Sequence, residues 1–338
     1  MHLASKIPQS ATTLALPVAG ALVLALGVGA APAHAQQART FVSGFGSDTN
    51  APNCFRTAPC RSFQVAHDNT LANGEITVLD PGSYGAVTIN RSISIINDGV
   101  GEAGMLISGG VAGATINAAA TDKVSLRGLT IKGIGFGGGT GIVFNTGAFL
   151  SVENCAIRNL TGTNGLGNGI IFRPALSGGS SNLAVTNTLV ADNDASGIWI
   201  KPTGSSGTVA VSINRVEVYH NGIDGIVAED SQFSGGLNGA MWVNVESSIA
   251  AQNGNGVGFA AVAPAQQGPI YMNVVRSVSA NNGTGFAAGA SAVMYVGQSS
   301  LIGNGTTWSG FTVNSFGDNY VAQNQDGSPN PPGLVNRK

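Results

Sequence analysis

An internal repeat constrains this 338-residue chain more than any other feature. A glycine followed by a short apolar run recurs at one constant interval, at Gly85, Gly113, Gly141, Gly169, Gly197 and Gly225. The repeat continues at less regular intervals at Gly256, Gly285 and Gly310. The apolar runs are short and rich in Val, Ile and Thr, which is typical of strands. A fixed period of about 28 residues indicates stacked supersecondary units.

Short strands with two or three turns in each period describe one coil of a parallel β-helix. A helical repeat is excluded because the 50 glycines leave no long stretch free of glycine. Nine glycine positions predict about nine coils, or a rod roughly 40 Å long at the strand spacing of about 4.8 Å. The glycines are expected to form tight corners. An apolar strand that ends in Asn precedes several of them, which predicts a ladder of stacked asparagines at Asn193, Asn221, Asn281 and Asn304.

Residues 1–35 are predicted to be a secretory signal peptide. Lys6 supplies the early positive charge, an apolar stretch follows from about Leu14 to Ala31, and Ala33-His34-Ala35 has the small residues of a cleavage site. A membrane anchor is the alternative, because the apolar stretch is nearly long enough to span a bilayer. The first interpretation favours a secreted or periplasmic protein with no membrane association once the signal is removed.

The two ends of such a rod need covers, because each exposes unpaired backbone groups. Residues 36–74 are predicted to be the N-terminal cap, with a short helix between Arg61 and Ala72 that stops at Asn73-Gly74. Residues 75–318 then form the β-helix. Residues 319–338, with three prolines, are predicted to be an irregular tail over the other end.

The three cysteines suggest a disulfide and one isolated thiol. Cys54 and Cys60 lie in a loop-like stretch, and in an exported protein a disulfide between them is favoured. A metal-binding pair is the alternative, although no further ligands lie nearby in the sequence. Cys155 is interpreted as a small buried hydrophobe rather than a nucleophile.

Charge is scarce, with 9% charged residues and a net charge of −2. This excludes a basic nucleic-acid-binding protein and a chain disordered by its own charge. We therefore expect no nucleic-acid partner. The scarcity also fits a stacked repeat, because a like charge repeated in every coil would lie beside its own copy.

Residues near the start of the mature chain carry a family resemblance. The run from Arg39 to Asp48, then Cys54, then Ala58 to Phe63, resembles the N-terminal cap of exported pectin-lyase-like proteins. Asp80-Pro81-Gly82-Ser83-Tyr84 corresponds there to the loop after the first strand. The resemblance implies an all-β fold, a right-handed parallel β-helix with a short N-terminal helical cap. It does not settle the function, because the family includes lyases, glycoside hydrolases, epimerases, esterases, phage tailspikes and adhesins.

Several catalytic signatures of this family are missing. The chain has neither the Gly-His-Gly nor the Arg-x-Lys of the polygalacturonases, and Asp80-Pro81 is followed by Gly82 rather than by the His of the alginate epimerases. No acidic cluster comparable to the calcium site of pectate lyases is present. The sequence therefore predicts no metal and no cofactor, and it leaves open whether the protein is an enzyme.

Two sets of polar residues fall at the repeat spacing. Arg173, Lys201 and Glu229 are successively one full repeat apart, so they are expected to form one column on adjacent coils. Alternation along the strand turns Trp199 and Lys201 outward if Ile198 faces the core. A surface charge ladder without function is the alternative for the column, and Trp199 faces inward if the strand is shifted by one residue.

Asp192 and His220 are also separated by one full repeat. A carboxylate beside an imidazole can orient it and give a general acid or base. A hydrogen bond that merely holds a turn is the alternative. The hypothesis assigns Asp192, His220 and Lys201 as catalytic residues, with His220 or Lys201 as the base. It assigns these residues to substrate binding: Trp199, Arg173, Glu229, Asp194 and Asp224.

The sequence thus predicts an exported β-helix protein that binds a polysaccharide or cell-surface glycan along its side. Cleavage by lyase or glycoside hydrolase chemistry is left open. The alternative is a non-catalytic surface rod or adhesin.

Overall fold

The computed structural model describes residues 36–162, 165–231, 239–265, 268–310 and 312–336. The predicted signal peptide lies outside the described residues. The described chain winds as a right-handed parallel β-helix, as predicted. Each complete coil passes through three parallel sheets, which we call A, B and C in the order in which the chain visits them.

The strands of each sheet stack in chain order and run parallel. Twelve strands form sheet A: β1 (Gln37–Val42), β2 (Thr70–Val78), β5 (Ile93–Ile96), β8 (Lys123–Arg127), β11 (Phe149–Glu153), β14 (Ala175–Thr186), β17 (Thr203–Asn214), β20 (Ala240–Glu246), β23 (Ile270–Val275), β26 (Ala292–Gly297), β29 (Val313–Ser315) and β31 (Gly333–Leu334). Ten strands form sheet B: β3 (Gly82–Ser83), β6 (Ala103–Ile107), β9 (Leu129–Gly133), β12 (Ala156–Arg158), β15 (Leu189–Ala191), β18 (Glu217–Tyr219), β21 (Ile249–Ala251), β24 (Val278–Ala280), β27 (Ser300–Ile302) and β30 (Tyr320–Ala322). Nine strands form sheet C: β4 (Val87–Ile89), β7 (Val111–Asn117), β10 (Gly139–Thr146), β13 (Ile170–Phe172), β16 (Ile198–Ile200), β19 (Ile226–Glu229), β22 (Val257–Val262), β25 (Thr284–Ala288) and β28 (Thr306–Ser309).

The period of the sequence repeat becomes an exact register in the middle of the rod. In sheet C, Ile142 pairs with Ile170, Ile170 with Ile198, and Ile198 with Ile226. Like side chains therefore stack on like side chains inside the helix, and the buried residues form one continuous core. The phenylalanine rings stack in the same way, with the ring centroids of Phe144 and Phe172 4.6 Å apart.

The N-terminal end is capped by one helix, α1 (Phe63–Asp68). Ser62 begins it, because its hydroxyl accepts a hydrogen bond from the backbone N–H of Val65. The helix is shorter than predicted, since the chain from Thr70 onward pairs with β1 and enters sheet A. The disulfide between Cys54 and Cys60 is confirmed.

The C-terminal end differs from the predicted irregular tail. The short strands β30 and β31 extend sheets B and A by one strand each. The Trp308 indole N–H donates to the carbonyl of Pro329 at 2.9 Å, and the carboxylate of Asp326 accepts from both the backbone N–H and the hydroxyl of Thr307. These bonds hold the last residues across the end of the core.

The asparagine ladder is present at the corner between sheets B and C, but one predicted member is wrong. Its buried members are Asn193, Asn221, Asn253, Asn282, Asn304 and Asn324. The side-chain oxygen of each, beyond the first, accepts from the amide of the member before it. Asn281 is instead exposed and has a φ of 53°. The left-handed conformation belongs to the residue before each ladder member, not to the ladder asparagine.

The repeated glycines serve a different purpose from the one predicted. Gly141, Gly169, Gly197 and Gly225 do not have left-handed backbones. They lie so close to the next coil that a Cβ atom would be 2.3 to 2.5 Å from a neighbouring atom. Their role is therefore close packing between coils rather than a tight turn.

Candidate functional site

A groove of about 650 Å³ lies on the outer face of sheet C. Thr88, Thr115, Val143 and Ile171 form its floor, one outward side chain from each of four successive strands. The four residues are aligned in register, so the floor runs along the axis of the rod. At about 4.8 Å per strand the floor is roughly 14 Å long.

Irregular segments on both sides of sheet C shelter the floor. Val143 and Ile171 point away from the core, yet they are only 8% and 4% exposed. Gln64 of α1, Val111 at the start of β7, and Leu166 in the turn before β13 line the groove above them. An outward column on a bare sheet would be open to water, so these walls turn a flat face into a groove.

A column of polar side chains follows one edge of the groove. The predicted column of Arg173, Lys201 and Glu229 is extended toward the N terminus by Asn145 and Asn117 at the same spacing of 28 residues. Asn145 donates from Nδ2 to Oδ1 of Asn117, and Arg173 donates from Nε to Oδ1 of Asn145, both at 2.8 Å. The sequence analysis missed the two asparagines, although the repeat alone could have found them.

Arg173 is the charged side chain among the described residues that line the groove. It is exposed, and it forms no ion pair with any residue that the structure describes. Its Nε is held by Asn145, which leaves the two terminal nitrogens free to donate. The groove therefore carries an unneutralised positive charge at a fixed position.

Trp199, Lys201 and Glu229 form a compact cluster on the coils that follow the groove. Trp199 lies on the outer face, because Ile198 and Ile200 on either side of it are fully buried. Its indole N–H donates to Oε2 of Glu229 at 2.8 Å, and Lys201 Nζ lies 3.2 Å from Oε1 of the same carboxylate. Lys201 Nζ also lies 4.4 Å from the centroid of the Trp199 ring. On that side the ring is not the open stacking surface expected from the sequence.

The carboxylate of Glu229 is held in its ionised form. Burial by itself would raise the pKa of Glu229, but hydrogen bonds from Ser231, Lys201 and Trp199 outweigh burial and lower it. Both carboxylate oxygens are occupied by these partners. Glu229 is therefore suited to fixing Lys201 and Trp199, and poorly suited to proton transfer.

Asp192 and His220 are in contact, but elsewhere on the coil. His220 Nδ1 lies 2.7 Å from Oδ1 of Asp192, and the imidazole side chain is 72% exposed. Both residues occupy left-handed positions at the corner between sheets B and C. Among the described residues no hydrogen bond, ion pair or ring contact joins this pair to Lys201 or Trp199. The structure thus does not assemble the three predicted catalytic residues through direct contacts.

Asp194 and Asp224 hold the same corner together. Oδ2 of Asp194 accepts from the backbone N–H of Gly162 at 2.9 Å, and Oδ1 of Asp224 accepts from that of Val257 at 2.8 Å. Burial raises the pKa of Asp224, although its hydrogen bonds act against the shift. Neither aspartate lines the groove.

Other chemistry finds little support in the described part of the chain. No group of three or more His, Cys, Asp and Glu residues there could hold a metal ion. Burial raises the pKa of the Cys155 thiol to about 11, which keeps it protonated and unreactive. The helix search, limited to those same residues, found nothing of the length and hydropathy needed to cross a bilayer.

Comparison with solved structures shows a relative in fold. The crystal structure of pectate lyase Pel9A is similar to this chain, with a TM-score of 0.58 and 16% sequence identity. The similar region covers 82% of this chain and 74% of that one. At this identity the similarity shows the parallel β-helix fold alone. No protein-family model matches the chain, and no curated protein matches it.

Proposed function

We propose that the protein binds an acidic polysaccharide in the groove on sheet C. The observation that carries this proposal is Arg173, an unpaired guanidinium at the edge of a groove whose described lining contains no acidic residue. A guanidinium can bind a carboxylate with two parallel hydrogen bonds, which makes arginine well suited to a uronic acid.

The rest of the groove suits the other parts of a sugar chain. The amides of Asn117 and Asn145 and the hydroxyls of Thr88 and Thr115 provide donors and acceptors for sugar hydroxyls. Val143 and Ile171 give an apolar floor against which C–H groups can pack. Because the floor runs along the rod, a linear polymer can lie in it across successive coils.

Two further findings support this proposal. The chain shares its fold with a pectate lyase, a protein named for an acidic polysaccharide. The disulfide between Cys54 and Cys60 fits an oxidising compartment, where such a polymer is encountered. We accordingly propose that the protein is secreted or periplasmic.

Replacing Arg173 by glutamine is expected to weaken binding to polygalacturonate by about tenfold or more, because the charged partner of the carboxylate is lost. Affinity electrophoresis in native gels that contain the polymer measures this change. Binding by the unaltered protein should also weaken as salt is added, because salt screens charges at the surface.

Arg215→Gln is the matched control for this experiment. Arg215 is also exposed, and its Nε also donates to an asparagine one coil back, Oδ1 of Asn187 at 2.6 Å, but it lies away from the groove. The control should bind like the unaltered protein. Equal weakening by both substitutions would show a general charge effect and would count against the groove, and the absence of any binding would favour the non-catalytic rod.

The geometry supports binding better than cleavage, so we expect no new chain ends when the protein is incubated with polygalacturonate. Lys201 is paired with Glu229, and His220 lies at a separate corner. Assays for reducing ends and for the ultraviolet absorbance of unsaturated ends check this expectation, with and without calcium. Release of unsaturated ends that is lost in Lys201→Ala would contradict it and would restore Lys201 as a catalytic base.

A further inference from the structure

A second surface, on the outer face of sheet A, combines aromatic rings with amides. It consists of Trp242 and Asn244 on β20, Tyr271 and Asn273 on β23, and Tyr295 on β26, which we call the aromatic patch. Trp242 pairs in register with Tyr271, and Asn244 with Asn273 and then Tyr295. Trp242 and Tyr271 are 48% and 41% exposed, which is unusual for large apolar side chains.

The rings of the aromatic patch are held in a defined arrangement. The centroids of Trp242 and Tyr271 are 6.5 Å apart, with 18° between the ring planes. Behind Tyr295, the ring of Phe316 lies 6.1 Å away at 22° and fixes its position. Together the side chains line a shallow depression of about 310 Å³ whose described lining contains no charged residue.

The polar atoms of the aromatic patch have unused hydrogen-bonding capacity. The indole N–H groups of Trp199 and Trp308 donate to Glu229 and Pro329, whereas that of Trp242 has no acceptor among the described residues. The hydroxyls of Tyr271 and Tyr295 are also without a hydrogen bond there.

The two amides of the aromatic patch are half used in the same way. Nδ2 of Asn273 donates to Oδ1 of Asn244 at 2.9 Å. This bond orients both amides and leaves Nδ2 of Asn244 and Oδ1 of Asn273 available. Ordered donors and acceptors therefore lie directly beside exposed aromatic rings.

We propose that the aromatic patch binds an uncharged glycan. The C–H face of a sugar ring packs against the electron-rich face of an aromatic ring, while the amides, phenols and indole N–H can bond to its hydroxyls. The lack of charge in the depression favours a neutral sugar over a uronic acid. Five side chains on three strands are far fewer than the roughly 20–30 residues per partner of a stable protein interface, which favours a small occupant over a second copy of the chain.

This inference is independent of the proposed groove. The groove lies on sheet C and owes its selectivity to Arg173, whereas the aromatic patch lies on sheet A and has no charged group. The two surfaces should therefore differ in the polymer that they bind and in their response to salt.

The test uses the purified protein in native gels that contain hydroxyethyl cellulose or galactomannan as neutral probes. The unaltered protein should be retarded by at least one of them, with little change on addition of salt. Trp242→Ala combined with Tyr271→Ala should weaken this binding by about tenfold or more, as expected for the loss of aromatic anchors. Binding to polygalacturonate should be unchanged in the same variant.

Tyr320→Ala is the matched control, because Tyr320 is 77% exposed on β30 of sheet B, away from the aromatic patch. It should be retarded like the unaltered protein, and an unchanged melting temperature of each variant shows that folding is intact. No retardation by either neutral probe, or equal retardation of the double variant, overturns the proposal. A dimer in sedimentation experiments that the double variant abolishes also overturns it, in favour of self-association.

Discussion

Asn282→Ala is expected to lower the free energy of unfolding by about 3–5 kcal/mol, because it removes an inner member of a buried ladder. Asn282 accepts through Oδ1 from both the backbone N–H and Nδ2 of Asn253, and its own Nδ2 donates to the carbonyl of Ala250 at 2.9 Å. Alanine leaves these groups without partners in the interior, where each loss costs about 1–3 kcal/mol. Urea unfolding followed by circular dichroism measures the change.

The adjacent residue provides the control. Asn281 is exposed and left-handed, and glycine adopts its φ of 53° without strain. Asn281→Gly should therefore change the free energy of unfolding by no more than about 1 kcal/mol. Similar effects of the two substitutions would show that the ladder is not the stabilising element that the structure indicates.

Gly197→Ala is expected to destabilise the protein by about 3 kcal/mol, at the upper end of the usual cost of overpacking. A Cβ atom there would lie 2.3 Å from Cγ1 of Val218 and 3.0 Å from the carbonyl oxygen of Gly225. The first contact is with a buried side chain and the second with backbone, so the two coils would have to move apart. The shift in the urea midpoint measures this cost.

Gly85 belongs to the same series of glycines but differs in kind. Its φ is +74°, and no heavy atom lies within 4 Å of the place that a Cβ would occupy. Gly85→Asn should therefore cost about 1 kcal/mol or less, since asparagine tolerates a left-handed backbone. A larger loss at Gly85 than at Gly197 would contradict the assignment of these glycines to close packing between coils.

The repeat made the fold predictable, because a fixed period forces identical contacts in every coil. The position of the ladder was harder to predict for a local reason. The exposed corner residue and the buried ladder residue are neighbours, and at Asn281 and Asn282 both are asparagines. Residue type alone cannot say which of the two faces the core, whereas the backbone conformation decides it.

The candidate site was predictable only in part. Spacing placed Arg173, Lys201 and Glu229 in one column, and it placed His220 beside Asp192. The depth of the groove could not be predicted, because segments outside the regular strands, such as that of Leu166, build its walls. Nor does spacing reveal that Lys201 lies over the ring of Trp199, which depends on the rotamers of two long side chains.

The exact register of the central coils makes the length of the rod adjustable in whole units. Because each coil contacts mainly the coils before and after it, a duplication or deletion of one full repeat in this region would splice matching surfaces together. Each such event would lengthen or shorten the rod by about 4.8 Å, the spacing of neighbouring strands. A gene encoding this fold can therefore change the number of sugar-sized steps along a face without redesigning either cap.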